Sequence, residues 1–72
     1  MAMDLTTAPL SKEFIIQQIN TNDAELNAFL FSLGCYTGEP ITVVSRRKGS
    51  VTVAIKDGRY TIDNQLAAAI RV

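Results

Sequence analysis

The 72 residues contain no histidine and no tryptophan, and cysteine occurs once. Without His there is no Ser–His–Asp triad, no Cys–His couple and no Cys/His metal cluster. The lone Cys35 cannot form an internal disulfide, which fits a reducing compartment. Neither sign of charge is in excess, because seven Lys+Arg balance seven Asp+Glu. The counterion-release term behind nucleic-acid affinity therefore has only local patches to draw on. Long apolar runs are also missing. The longest, Leu66–Ile70, has five residues, against the roughly twenty a membrane-spanning helix needs. Met1–Asp4 has no basic start and no apolar stretch behind it, so no signal peptide is expected and the reading is cytoplasmic.

What remains is enough to fold. Hydrophobic residues make up 47% of the chain, which argues for one small globular domain over a disordered tail. A domain of this size buries only about 60% of its unfolded surface, which leaves little material for an enzyme cleft. Met1–Pro9 shows no periodicity and ends at a proline, which predicts a loose N-terminal arm, with the domain proper over residues 10–72.

Phe14–Ile19 is rich in β-branched and aromatic residues and reads as a strand. Asn20–Asp23 are turn formers, and Asn22 followed by Glu25 has capping-box spacing. Behind it, Leu26, Phe29, Leu30 and Leu33 recur at i, i+3, i+4, i+7. That spacing predicts a helix over 23–33 with these four residues as its buried stripe. Gly34 is placed to end it in the left-handed conformation.

After the Cys35–Pro40 loop come three strand-like runs, Ile41–Arg46, Val51–Lys56 and Arg59–Ile62. Asp57-Gly58 is a two-residue hairpin signal that sets Lys56 opposite Arg59, Ile55 opposite Tyr60 and Val53 opposite Ile62. For the turn around Lys48-Gly49, a two-residue loop pairs Val44 with Val53. A three-residue loop pairs Val43 with Ile55 and is preferred because it turns Ile41 inward. Asp63-Asn64-Gln65 opens a helical turn, and Ile70–Val72 returns as a short strand. The fold class is mostly β with one helix. The open edges of so small a sheet are removed most simply by curling it into a barrel.

The stretch Leu30-Phe31-Ser32-Leu33-Gly34-Cys35-Tyr36-Thr37-Gly38-Glu39-Pro40-Ile41-Thr42-Val43 resembles the L-x-x-L-G-x-x-x-G-x-x-I-x-V core of the FeoA family, the small ferrous iron transport protein A. Ile62, Ala67, Ile70 and Val72 match that family's closing L-x-x-x-x-A-x-x-I-x-V, and Leu10-Ser11 its leucine-serine start. The chain departs from the pattern at Phe29 and Asp63, where the family often has Arg, and at Thr37, where it often has Pro. The resemblance implies a small five-stranded SH3-like antiparallel barrel without enzymatic activity. It also implies a partner, the cytoplasmic part of a ferrous-iron permease that carries a G-protein domain.

Candidate partner-binding residues follow from their positions. At about 100° per residue, Phe31 points nearly opposite the stripe, beside Ala24 and Ala28. There it is covered by the Met1–Pro9 arm or a neighbouring strand, serves as a docking anchor, or is simply exposed. Tyr36, where the helix leaves, either packs its ring or enters an interface. Arg46, Arg47 and Lys48 form a basic hairpin tip, read as solvated charge or as a contact for an acidic protein surface. No aromatic lies beside that tip to stack bases, so nucleic acid is not expected, although a small-barrel nucleic-acid binder or general interaction module is the alternative. Cys35 reads as a small buried hydrophobe. The family's link to iron invites a metal site. Ferrous iron prefers imidazole mixed with carboxylate or thiolate, and only scattered carboxylates such as Glu39, Asp57 and Asp63 are present, so neither a metal ligand nor a cofactor is assigned.

Overall fold

The computed structural model describes residues 3–72. Its elements run β1 (Glu13–Ile15), β2 (Gln18–Ile19), α1 (Ala24–Ser32), β3 (Pro40–Arg47), β4 (Ser50–Ile55), β5 (Gly58–Asp63), α2 (Asn64–Ala68) and β6 (Ile70–Arg71). The strands are antiparallel and form a four-stranded sheet, β1-β3-β4-β5, and a two-stranded one, β2-β6. The chain is thus mostly β with one main helix, but its strands make two sheets in place of a closed five-stranded barrel. The division arises at Ile16-Gln17, inside the run read as one strand. The Ile16 amide donates to Glu39 O (3.0 Å) and the Gln17 amide to Arg71 O (2.8 Å), so the chain leaves β3 and takes up β6 at this corner. At this corner Ile16 lies in the core while Ile15 stays outside, continuing the alternation of β1.

Both hairpins keep the expected faces but not the expected pairs. The last turn is Lys56-Asp57, with Ile55 opposite Gly58, Val53 opposite Tyr60 and Val51 opposite Ile62. Lys56 takes a left-handed φ of 54° to close it. The register is displaced by two residues from the predicted one, and a slip of two preserves which side chains face inward. At the first turn, Arg47 pairs with Ser50 across Lys48-Gly49, a two-residue loop in place of the preferred three. A bulge between Val43 and Ser45 then restores the inward phase, so Val43 lies opposite Val53 and Ile41 is buried.

α1 is capped by Asp23, not Asn22. The Asp23 carboxylate accepts from the amides of Glu25 (2.9 Å) and Leu26 (3.3 Å). At the other end Gly34 takes φ 87°, with Cys35 N donating to Leu30 O (2.9 Å) and Gly34 N to Phe31 O (3.0 Å). These two bonds make a Schellman turn whose accompanying apolar contact comes from buried Leu30 and Cys35. A Cβ on Gly34 would lie 3.2 Å from Lys56 Cε, so the helix end sits against the β4–β5 hairpin. The four-residue stripe is not buried as expected. Leu30 is buried and Leu33 half-buried, whereas Leu26 and Phe29 are exposed. The helix docks by its C-terminal turn, and its first turns stand away from the core.

The segment predicted as a loose arm is anchored to the core through Leu5 and Ala8, and its first two residues lie outside the described ones. Leu5 and Ala8 are fully buried. Leu5 N donates to Ala67 O (3.3 Å), and Val72 N to Met3 O (2.9 Å). Asp4 organises the turn by accepting from the Thr6 amide (2.8 Å) and hydroxyl. Its composition hid this role, because two apolar side chains three apart in a polar segment form no period. They join Ile16, Leu30, Ile41, Val43, Val51, Val53, Ile55, Ile62, Leu66, Ala67 and Ile70 in one core.

Candidate functional site

The Schellman turn throws Phe31 and Tyr36 to the same side of the helix end. Their ring centroids are 5.0 Å apart with the planes tilted by 34°, within the range of favourable aromatic pairing. Phe31 is 66% exposed, so the described part of the N-terminal segment does not cover it, while Tyr36 is half-buried. Lys56 fixes Tyr36 from the hairpin side. Its ammonium donates to Tyr36 Oη (3.3 Å), lies 5.4 Å from the ring centroid and pairs with Glu39 Oε1 at 3.0 Å. The Glu39 contact and then the Tyr36 hydrogen bond hold Lys56 above its ordinary pKa. A shallow groove results, floored by Gly34 and Gly58 and walled by Phe31, Tyr36, Lys56 and Tyr60. A Cβ on Gly58 would run into the Tyr60 ring, so the glycine lets that ring lie over the turn.

Such a surface has one exposed aromatic, a second ring held in place, and one fixed cation. It can bury an apolar side chain and meet a carbonyl or carboxylate beside it. Cys35, behind the helix end, is buried, and desolvation pushes its thiol up to about 11. Among the described residues, no three His, Cys, Asp or Glu side chains come together as a metal site.

The other three candidates lie elsewhere. Arg47 and Lys48 are exposed at the β3–β4 turn, at the opposite end of β4 from the groove and about 17 Å away by strand rise. Arg46 is not free charge: its guanidinium donates to Leu5 O (3.1 Å) and to Ala8 O, tying the N-terminal segment to β3. Two side chains important to the groove, Lys56 and Glu39, were missed as site residues. They are seventeen positions apart in sequence, and no local pattern links them before the hairpin and the helix end meet.

Solved structures place this architecture among known proteins. A manganese-dependent transcriptional repressor superposes with a TM-score of 0.89 at 23% identity over 99% of this chain and 40% of its own. A second structure, of a manganese-dependent repressor in complex with manganese, gives 0.89 at 22% over 99% and 36%. The chain thus spans about two-fifths of those repressors. A crystal structure described as iron uptake regulatory protein (FeoA) gives 0.87 at 20% identity, covering 100% of this chain and 96% of that one. At these identities the likeness establishes the fold. No curated protein matches the chain in sequence. The family model for the FeoA domain, however, matches residues 3–72, nearly the whole length and including the segment that packs Leu5, so this chain belongs to the FeoA domain family.

Proposed function

We propose that this protein is a non-enzymatic cytoplasmic accessory of ferrous iron uptake. It acts by docking on the cytoplasmic part of a ferrous-iron permease that carries a G-protein domain. The observation that carries the reading is Phe31, a 66% exposed aromatic held against Tyr36. Aromatic anchors with a rigid, pre-set neighbour lose little entropy on binding and dominate interface energies. Membership of the FeoA domain family supplies the link to iron uptake. Engagement of Arg46 by the Leu5 and Ala8 carbonyls leaves fewer free guanidinium N–H donors at the β3–β4 turn for phosphate, which favours a protein partner over the nucleic-acid alternative. Docking would bias the permease by contacting one of its conformations better than the other.

Titration of the purified cytoplasmic domain of such a permease with this protein tests the reading. Saturable binding that weakens about tenfold or more with Phe31→Ala is expected. No binding in any nucleotide state, or binding indifferent to Phe31, overturns it.

A further inference from the structure

The sheet ends on β5, and the outer edge of β5 is regular. It pairs with β4 without interruption from Ile55–Gly58 to Ser50–Asp63, with no bulge and no proline. In a two-residue hairpin the closing pair, here Ile55 and Gly58, exchanges hydrogen bonds. Gly58, Tyr60 and Ile62 therefore bond inward to β4. The Asn64 amide, donating to Gly49 O at 3.2 Å, continues that alternation. The amides of Arg59, Thr61 and Asp63 face away from the sheet, and no backbone partner meets them among the described residues. α1 flanks this strand across two shallow grooves, one lined by Phe31 and Tyr60, the other by Leu26 and Asp63. An edge of this kind is a template for another strand.

The side chains along it specify which strand. Arg59, Thr61 and Asp63 are exposed on one face in the order positive, neutral, negative. An antiparallel copy of β5 centred on Thr61 sets Arg59 opposite the partner's Asp63, Asp63 opposite the partner's Arg59, and Thr61 opposite the partner's Thr61. The same centre brings the outward amides into hydrogen-bonded phase, so charge and backbone agree on one register. Opposite charges directly across a strand pair stabilise it, and the two-fold arrangement is self-complementary. The Thr61 hydroxyl, already 3.1 Å from Thr52 Oγ1, extends a threonine ladder across the seam. We propose that β5 is a self-association edge, through which two copies of this chain join their four-stranded sheets into one. Edge pairing buries less than a standard interface, so the dimer is weak and reversible.

Dilution series of ¹⁵N spectra and sedimentation, from about 10 μM to about 2 mM, read this directly. The expected result is a concentration-dependent doubling of mass. Shifts and slowed exchange should centre on the Arg59, Thr61 and Asp63 amides, and raised salt should weaken them. Arg59→Asp should remain monomeric, as should Asp63→Lys, and mixing the two should restore a heterodimer. Asp63 also caps α2, accepting from Leu66 N at 2.7 Å. If Asp63→Lys fails to fold, Arg59→Asp alone decides, because it leaves that cap intact. A chain that stays monomeric at the highest concentration overturns the proposal. So does association mapping to Phe31, or association undiminished in Arg59→Asp.

Discussion

Leu30 and Phe31 are consecutive residues of α1 with opposite surroundings: Leu30 is 1% exposed and Phe31 66%. One turns into the core, and the other turns out beside Tyr36. Stability and the proposed docking are therefore separable by neighbouring substitutions.

Leu30→Ala should cost about 2–5 kcal/mol, most of what so small a domain holds. Phe31→Ala should leave the melting midpoint nearly unchanged while weakening partner binding by about 1–2 kcal/mol or more. Thermal melts alongside binding titrations check both, and a destabilised Phe31→Ala would show that the ring is structural.

The N-terminal segment should behave as part of the domain. Leu5→Ala removes a fully buried side chain and should cost about 2–5 kcal/mol. Arg46→Met breaks charge-assisted bonds to the Leu5 and Ala8 carbonyls, at a cost of about 1–3 kcal/mol. The double variant should cost less than the sum, because both act through one segment. Urea unfolding of the four chains measures the coupling.

Alkaline stability depends on Cys35, whose thiol rises from 9.0 to about 11 on burial. Between those values the unfolded chain has lost the proton and the native chain keeps it. The contribution is thus intact below pH 9.0 and lost as pH climbs towards 11. Cys35→Ala should flatten that decline in a series of melts. Native Cys35 should also resist thiol reagents at pH 8 until denaturant is added.

Lys56 titrates in the same direction, because its native pKa is raised by Glu39 first and Tyr36 second. Whatever this contact contributes is present below 10.5 and disappears above the native value. Glu39→Gln should return the Lys56 midpoint towards its ordinary value, followed by the ¹³Cε shift. An unmoved midpoint would mean that the 3.0 Å pair does not persist in solution.

Iron should bind the folded protein weakly. The chain lacks imidazole, and its one thiol is buried in the protonated form. Anaerobic calorimetry should find no stoichiometric ferrous site tighter than about micromolar, roughly −8 kcal/mol.

The sequence alone determined the elements whose cause is local. Gly34 ends a helix because only a residue free to take φ 87° closes that turn cheaply. Asp63 starts α2 because its carboxylate reaches an orphan amide three residues on. Alternation in Val51, Val53 and Ile55 named the buried face of β4, and a register error of two residues left that face unchanged. The spaced pattern from Leu30 to Val72 also carried the family.

Only the tertiary structure decided what depends on distant residues. The Asn22 cap lost to Asp23 because both have the right chemistry and backbone geometry chooses between them. The helical stripe overstated burial because periodicity defines a face but not how much core stands behind it. Leu5 and Ala8 had no pattern to announce them, and the bulge between Val43 and Ser45 answers to packing of the whole sheet. The groove itself joins Phe31 and Tyr36 to Lys56 across the chain, a meeting that exists only once the helix end has docked on the hairpin.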